Sequence, residues 1–107
     1  MLVITGTILL GAQSDIATIT QILANRAKRS RRDKGCIDYA FSVSVENPNE
    51  IRLIEKWESE ELLNLHLQIP DPEFNLALET SAITEAKVIG YEAASDRTLL
   101  DLSLIHI

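Results

Sequence analysis

An α+β sandwich of the ferredoxin-like βαββαβ type is the fold that this sequence predicts, and three observations carry the prediction. Two strand-like runs meet at Asn47-Pro48-Asn49, as a hairpin would; segments with helix caps precede and follow that hairpin; and further strand-like runs stand at residues 2–10 and 84–94. An antiparallel sheet with helices on one face is the layering that such an order produces.

The elements follow in chain order. Residues 2–10 are rich in Val, Ile and Thr and apolar on both faces, which suits a central strand. Gly11 breaks it, and Ser14 or Asp15 caps a helix whose apolar stripe is Ile16, Ile19, Leu23 and Ala27. That helix is expected to run to about Asp33 and to end at Gly35 in the left-handed conformation. Ile37, Tyr39, Phe41, Val43 and Val45 then alternate with Asp38, Ala40, Ser42, Ser44 and Glu46, predicting a strand with one apolar face. After the turn, the strand from Glu50 to Glu58 places Ile51, Leu53, Glu55 and Trp57 on one face. Ser59 caps the next helix, with Glu60 and Glu61 in its first turn, where carboxylates meet the positive end of the helix dipole. Pro70-Asp71-Pro72 interrupts it, and Asp71 as cap with Pro72 at the first helical position starts a short helix carrying Phe74, Ala77 and Leu78.

Bulk properties bound the function. At 107 residues, 46% hydrophobic and 24% charged, the chain has ordinary globular composition and the size of one domain. Residues 1–95 form that domain, and 96–107 are an appended tail or arm. The single cysteine, Cys36, excludes an intrachain disulfide and a Cys-built metal site, so a reduced, cytoplasmic setting is expected, with Cys36 as a small packing residue. The apolar start is too short to span a membrane. A net charge of −6 argues against nucleic-acid partners. Six of the ten basic residues cluster between Arg26 and Lys34, and they read as the solvated, cation-favouring end of the first helix.

The two-sided apolar first strand implies that the sheet face away from the helices is also covered, most simply by a second copy of the chain. On the second helix, His66 follows Leu62 by four residues and Leu63 by three, so it points inward with them. Trp57 ends the preceding strand on the side of Leu53 and Glu55, and Tyr39 and Phe41 lie on the neighbouring strand. Two readings stay open at this junction. One is a pocket with aromatic walls and a general base; the other is a core histidine hydrogen-bonded to a carboxylate such as Glu55, with Trp57 as packing. No spacing for a metal site, a phosphate loop or a nucleophile motif is present.

The run GCIDYAFSVSVENPNEIRLIEKWESEELLNLHL from Gly35 to Leu67, followed by Pro70 and Phe74, resembles the antibiotic biosynthesis monooxygenase (ABM) domain family. That family carries a GC-x-x-Y strand, a strand ending E-x-W-x-S, a helix with E-x-L-x-x-H-L, and a downstream Phe. Gly35, Cys36, Tyr39, Glu55, Trp57, Ser59, Leu63, His66 and Phe74 match it.

The resemblance implies a homodimeric α/β barrel, in which two four-stranded sheets pack through the faces opposite their helices. It also implies a cofactor-independent monooxygenase acting with O2 on an electron-rich phenol or quinol. His66 would be the base, and Trp57, Tyr39, Phe41, Glu55 and Phe74 would surround the substrate, Glu55 orienting His66 if the two touch. The alternative is a dimeric module that binds a small aromatic metabolite without turnover. A heme-degrading branch of the family uses a histidine on the later helix and an asparagine near the first strand. Leu76, Ala77 and Leu78, and Thr5, Gly6 and Thr7, stand in those places here. The tail 96–107, in which Leu100, Leu102 and Leu104 alternate with other residues, is expected to dock on the partner subunit.

Overall fold

The structure, a computed structural model, describes residues 1–102. Its elements are β1 (Leu2–Leu10), α1 (Ile16–Ser30), β2 (Cys36–Val43), β3 (Glu50–Trp57), α2 (Glu60–Leu67), α3 (Pro72–Thr80) and β4 (Ile83–Glu92). The strands form one antiparallel sheet in the order β2-β3-β1-β4. With the helices above one face, this is the ferredoxin-like α+β arrangement.

Local chemistry sets the element ends. Asp15, Ser59 and Asp71 are the three helix N-caps, and their side chains accept from the backbone N–H of Thr18, Leu62 and Phe74. Each thereby satisfies a donor that the first helical turn leaves open. Gly35 has φ +85°, and a Cβ there would collide with the Leu62 side chain. Both the left-handed backbone and the close approach of α2 therefore demand glycine.

Three details depart from the sequence expectations. Helix α1 stops at Ser30, and residues 31–34 turn, so Asp33 leaves the helix surface. The pairing of β2 with β3 shifts between Cys36 and Asp38, turning Ile37 out to 52% exposure instead of onto the apolar face. Val45 lies beyond the end of β2 and is fully exposed.

The core fills the space between the helices and the inner face of β1, β2 and β3. One cluster is Ile4, Ala27, Tyr39 and Trp57, and a second is Leu10, Leu23 and Ile51; Phe41 packs against both. Strand β4 is different, since all ten of its residues are exposed. On the face opposite the helices, Ile54, Ile89 and Tyr91 are 36%, 38% and 52% exposed. Among the described residues no helix is long and apolar enough to cross a membrane. In the tail Leu99, Leu100 and Leu102 are exposed; residues 103–107, on which part of the docking expectation falls, lie outside the described residues.

Candidate active site

The sheet–helix junction assembles around Arg26. Its position is three residues after Leu23, on the apolar stripe of α1, and it is 9% exposed. The stripe directs a guanidinium into the core, where every N–H needs a partner. The partners come from three other elements. Nε–H donates to the Tyr39 hydroxyl on β2 at 3.3 Å, Nη1 to Asp71 Oδ2 at the α3 cap at 3.0 Å, and Nη2 to His66 Nε2 on α2 at 3.1 Å. The guanidinium also lies 4.6 Å from the ring centre of Phe74, over its face. Arg29 adds a second cation to Asp71 at 2.6 Å.

This geometry fixes the histidine's tautomer. Arginine only donates, so Nε2 must accept, and the imidazole proton resides on Nδ1. Nδ1–H donates to Asp33 Oδ2 at 2.6 Å. His66 is 3% exposed. Its ring lies 4.6 Å from that of Trp57 and 5.7 Å from that of Tyr39. Asp33, His66 and Arg26 thus form a line of hydrogen bonds with an indole and a phenol beside it.

The carboxylate that orients His66 is therefore Asp33 and not Glu55. Glu55 instead accepts from the Trp57 indole N–H at 3.0 Å. This follows from the backbone: Glu55 and Trp57 point to the same face of β3, two residues apart, whereas the turn after α1 carries Asp33 over to α2.

Burial pushes the Glu55 carboxyl above its usual range, against the pull of the Trp57 N–H and of the Arg26 charge. Burial and the Glu55 charge likewise raise the Tyr39 phenol, with Arg26 opposing them. For Asp71, burial favours the neutral acid, but hydrogen bonds from Arg29, the Phe74 N–H and Arg26 outweigh it and hold the carboxyl below its usual range. Arg26 stays charged, because Tyr39 and Asp71 overcome its desolvation.

Of the residues singled out from sequence, His66, Trp57, Tyr39 and Glu55 converge. Phe41 stands one ring away, 5.6 Å from Tyr39, and Phe74 reaches the site through Arg26 rather than by touching His66. Arg26, Asp33 and Asp71 were not anticipated. The reading of the whole basic cluster as a solvated helix end fails at Arg26, although Lys28, Arg29, Arg31, Arg32 and Lys34 are exposed. The missed signal was positional, since Arg26 falls on the apolar stripe and its basic neighbours do not.

Comparisons with solved structures place this architecture among relatives. A Deinococcus radiodurans protein described as a candidate antibiotic biosynthesis monooxygenase is 24% identical with a TM-score of 0.80, over 94% of this chain and 100% of that one. A candidate antibiotic biosynthesis monooxygenase from Nitrosomonas europaea is 13% identical with a TM-score of 0.76, over 89% of this chain and 100% of that one. A conserved protein of Methanosarcina mazei Go1 is 18% identical with a TM-score of 0.70, over 84% and 89%. At these identities the likeness shows the shared fold. Among curated proteins nothing matches. The sequence profile of the antibiotic biosynthesis monooxygenases matches residues 11–72, from the end of β1 to the start of α3. That span is more than half of the chain and contains every residue of the Arg26–His66 cluster except Phe74, and on this match the protein belongs to the antibiotic biosynthesis monooxygenase (ABM) family.

Proposed function

We propose that the protein is a cofactor-independent monooxygenase that oxidises an electron-rich phenol or quinol with O2 and works as a homodimer. The observation that carries the reading is the directed line Asp33–His66–Arg26. A base held by a carboxylate on one nitrogen presents its other nitrogen, in a fixed tautomer, beside a permanent cation and aromatic rings.

In this mechanism the substrate's phenolic O–H takes the place that Arg26 Nη2 occupies on His66 Nε2. The imidazole accepts the proton, and Asp33 stabilises the imidazolium. Arg26, still held by Asp71 and Tyr39, offers its freed N–H to the phenolate oxygen. The phenolate is electron-rich enough to reduce O2. Oxygen adds at an unsubstituted ring carbon conjugated with the phenolate; one atom stays on that carbon in the quinone product, and the other leaves as water with the two hydrogens lost by the substrate, one from that carbon and one from a hydroxyl. Trp57, Tyr39, Phe41 and Phe74 hold the ring and exclude water, as apolar pockets with few polar groups do. The homodimer reading rests on the family and on the exposed apolar residues of the sheet face opposite the helices.

One observation favours a second reading, a module that binds an aromatic metabolite without turnover. Both His66 nitrogens are already satisfied within the chain and the ring is almost fully buried. Oxygen-electrode assays across a panel of hydroquinones separate the two. The oxygenase reading expects O2 uptake that is lost in His66→Ala and in the less disruptive His66→Gln, with near-UV circular dichroism retained in at least the latter. Uptake unchanged in a folded His66→Gln removes His66 from the mechanism. Thermal stabilisation by the panel without any O2 uptake establishes the binding module instead.

A further inference from the structure

A groove of about 300 Å³ lies between α1 and the edge strand β2, bordering the cluster described above at Phe41. Leu23, Ala27, Phe41 and Ile51 make its floor. Leu23, Ala27 and Ile51 are core residues, 5%, 3% and 1% exposed, so the floor is rigid. Ala24 and Val43 form the lips. Along α1 the lining runs from Thr20 to Arg31, a rise of about 17 Å at 1.5 Å per residue. The cavity is therefore long for its volume.

Its charge is one-sided. Lys28 and Arg31 stand together toward one end, and among the described residues no carboxylate lines the groove. Neither makes an ion pair among the described residues, whereas Arg26, Arg29 and Arg52 all do. Arg31 is also held in place: its Nε–H donates to the Tyr39 carbonyl of β2 at 2.9 Å, and among the described residues its Nη groups have no hydrogen-bond partner. In a chain of net charge −6, two unneutralised cations at one end of an apolar channel are a local inversion of sign.

We propose that this groove binds a linear organic anion, a medium-chain acyl carboxylate, with its head on Lys28 and Arg31 and its chain along Leu23, Phe41 and Ile51. Bidentate arginine geometry suits a carboxylate, and the apolar floor suits methylene groups, each contributing about 0.8 kcal/mol when buried. The length of the channel favours an extended chain over a compact ring, and the single charged end favours one acidic head over a peptide with charges along its length. Arg26, Asp33 and His66 do not line the groove, and of the residues assigned to the ring only Phe41 borders it, so the proposal does not rest on the oxygenase reading.

Isothermal titration of the full chain with decanoate, and with decanol as its uncharged counterpart, tests it. Saturable one-to-one binding of decanoate is expected, with decanol weaker by about tenfold or more. The double variant Lys28→Gln/Arg31→Gln should weaken decanoate by about the same factor and leave decanol unchanged. Ala24→Trp, which plugs the groove from an exposed position, should abolish both. Circular dichroism verifies that each variant is folded. Absence of saturable decanoate binding overturns the proposal. Equal affinity for decanoate and decanol, or full affinity in the folded Ala24→Trp protein, overturns it as well.

Discussion

Strands β3 and β4 flank the same central strand, each in antiparallel register along nearly all of β1, yet they occupy opposite environments. On β3, Ile51 and Trp57 are 1% and 0% exposed, while on β4 every residue is exposed and Val88 reaches 56%. The ladder is the same, so backbone pairing does not make the difference. The helix layer does: α1 packs on β2 and on α3, and α2 on β3, and among the described residues no helix packs closely on β4. Because hydrophobic stabilisation scales with apolar area removed from water, the stability of one chain resides in the β2–β3 half together with the candidate active site. β4 is held by its ladder to β1, and its apolar side chains are available to a covering partner.

The largest expected effect tests that asymmetry directly. Trp57→Ala should cost about 3–5 kcal/mol, whereas Val88→Ala should stay within about 0.5 kcal/mol, both read from urea unfolding. A Val88→Ala cost similar to that of Trp57→Ala breaks the comparison.

The next effect probes the ion network. Asp71→Asn removes the anion shared by Arg26 and Arg29 and leaves a buried guanidinium undercompensated, at a cost of about 3 kcal/mol. The pH dependence follows from the lowered carboxyl. Its contribution is present above the unfolded-state value of about 3.9 and is lost as pH falls through the still lower folded value. Acid titration of stability should therefore be steeper in the wild-type protein than in Asp71→Asn, and equal slopes would remove Asp71 from the acid response.

A smaller effect separates the two faces of β4. Ile89 lies on the side opposite the helices, and its neighbour Val88 on the helix side. For the proposed dimer, Ile89→Asp should weaken self-association in sedimentation by about tenfold or more, while Val88→Asp leaves it nearly unchanged. The reverse pattern would place the interface on the other face.

The smallest effect belongs to Glu55. Its folded carboxyl is raised, mainly by burial, so its contribution to stability is fully present below the unfolded value of about 4.3 and is lost as pH rises through the folded one. Glu55→Gln keeps an oxygen for the Trp57 indole and removes the buried charge. It should raise the melting temperature modestly at pH 7, with the gain vanishing in acid. A lower melting temperature at pH 7 would show that the charge itself is needed by His66 and Arg26.

How far the chain could be read before folding depends on the range of the interactions involved. Ser59, Asp71 and Gly35 act within a few residues of themselves, so caps and the helix stop were legible from residue type and spacing. The period-two alternation of β2 was legible for the same reason, and so was the inward side of His66 beside Leu62 and Leu63. The outward turn of Ile37 was not, because a bulge depends on how two strands register against each other. Nor was the partner of His66. A carboxylate beside the imidazole was foreseeable, but its identity as Asp33 required α1 to end at Ser30 and the following turn to swing toward α2.

By itself, then, the sequence determined the element order, the ferredoxin-like layering, the family motif from Gly35 to Phe74 and the aromatic surroundings of His66. All of these are written in local periodicity, capping chemistry and side-chain type. Only the tertiary structure decided that Arg26, one of six clustered basic residues, is the buried hub linking Tyr39, His66 and Asp71, while Lys28 and Arg31 stand beside an apolar groove without an ion pair among the described residues. The physical reason is that a charge's role depends on the dielectric around it and on partners distant in sequence. Those are properties of the packed chain, which local pattern does not encode.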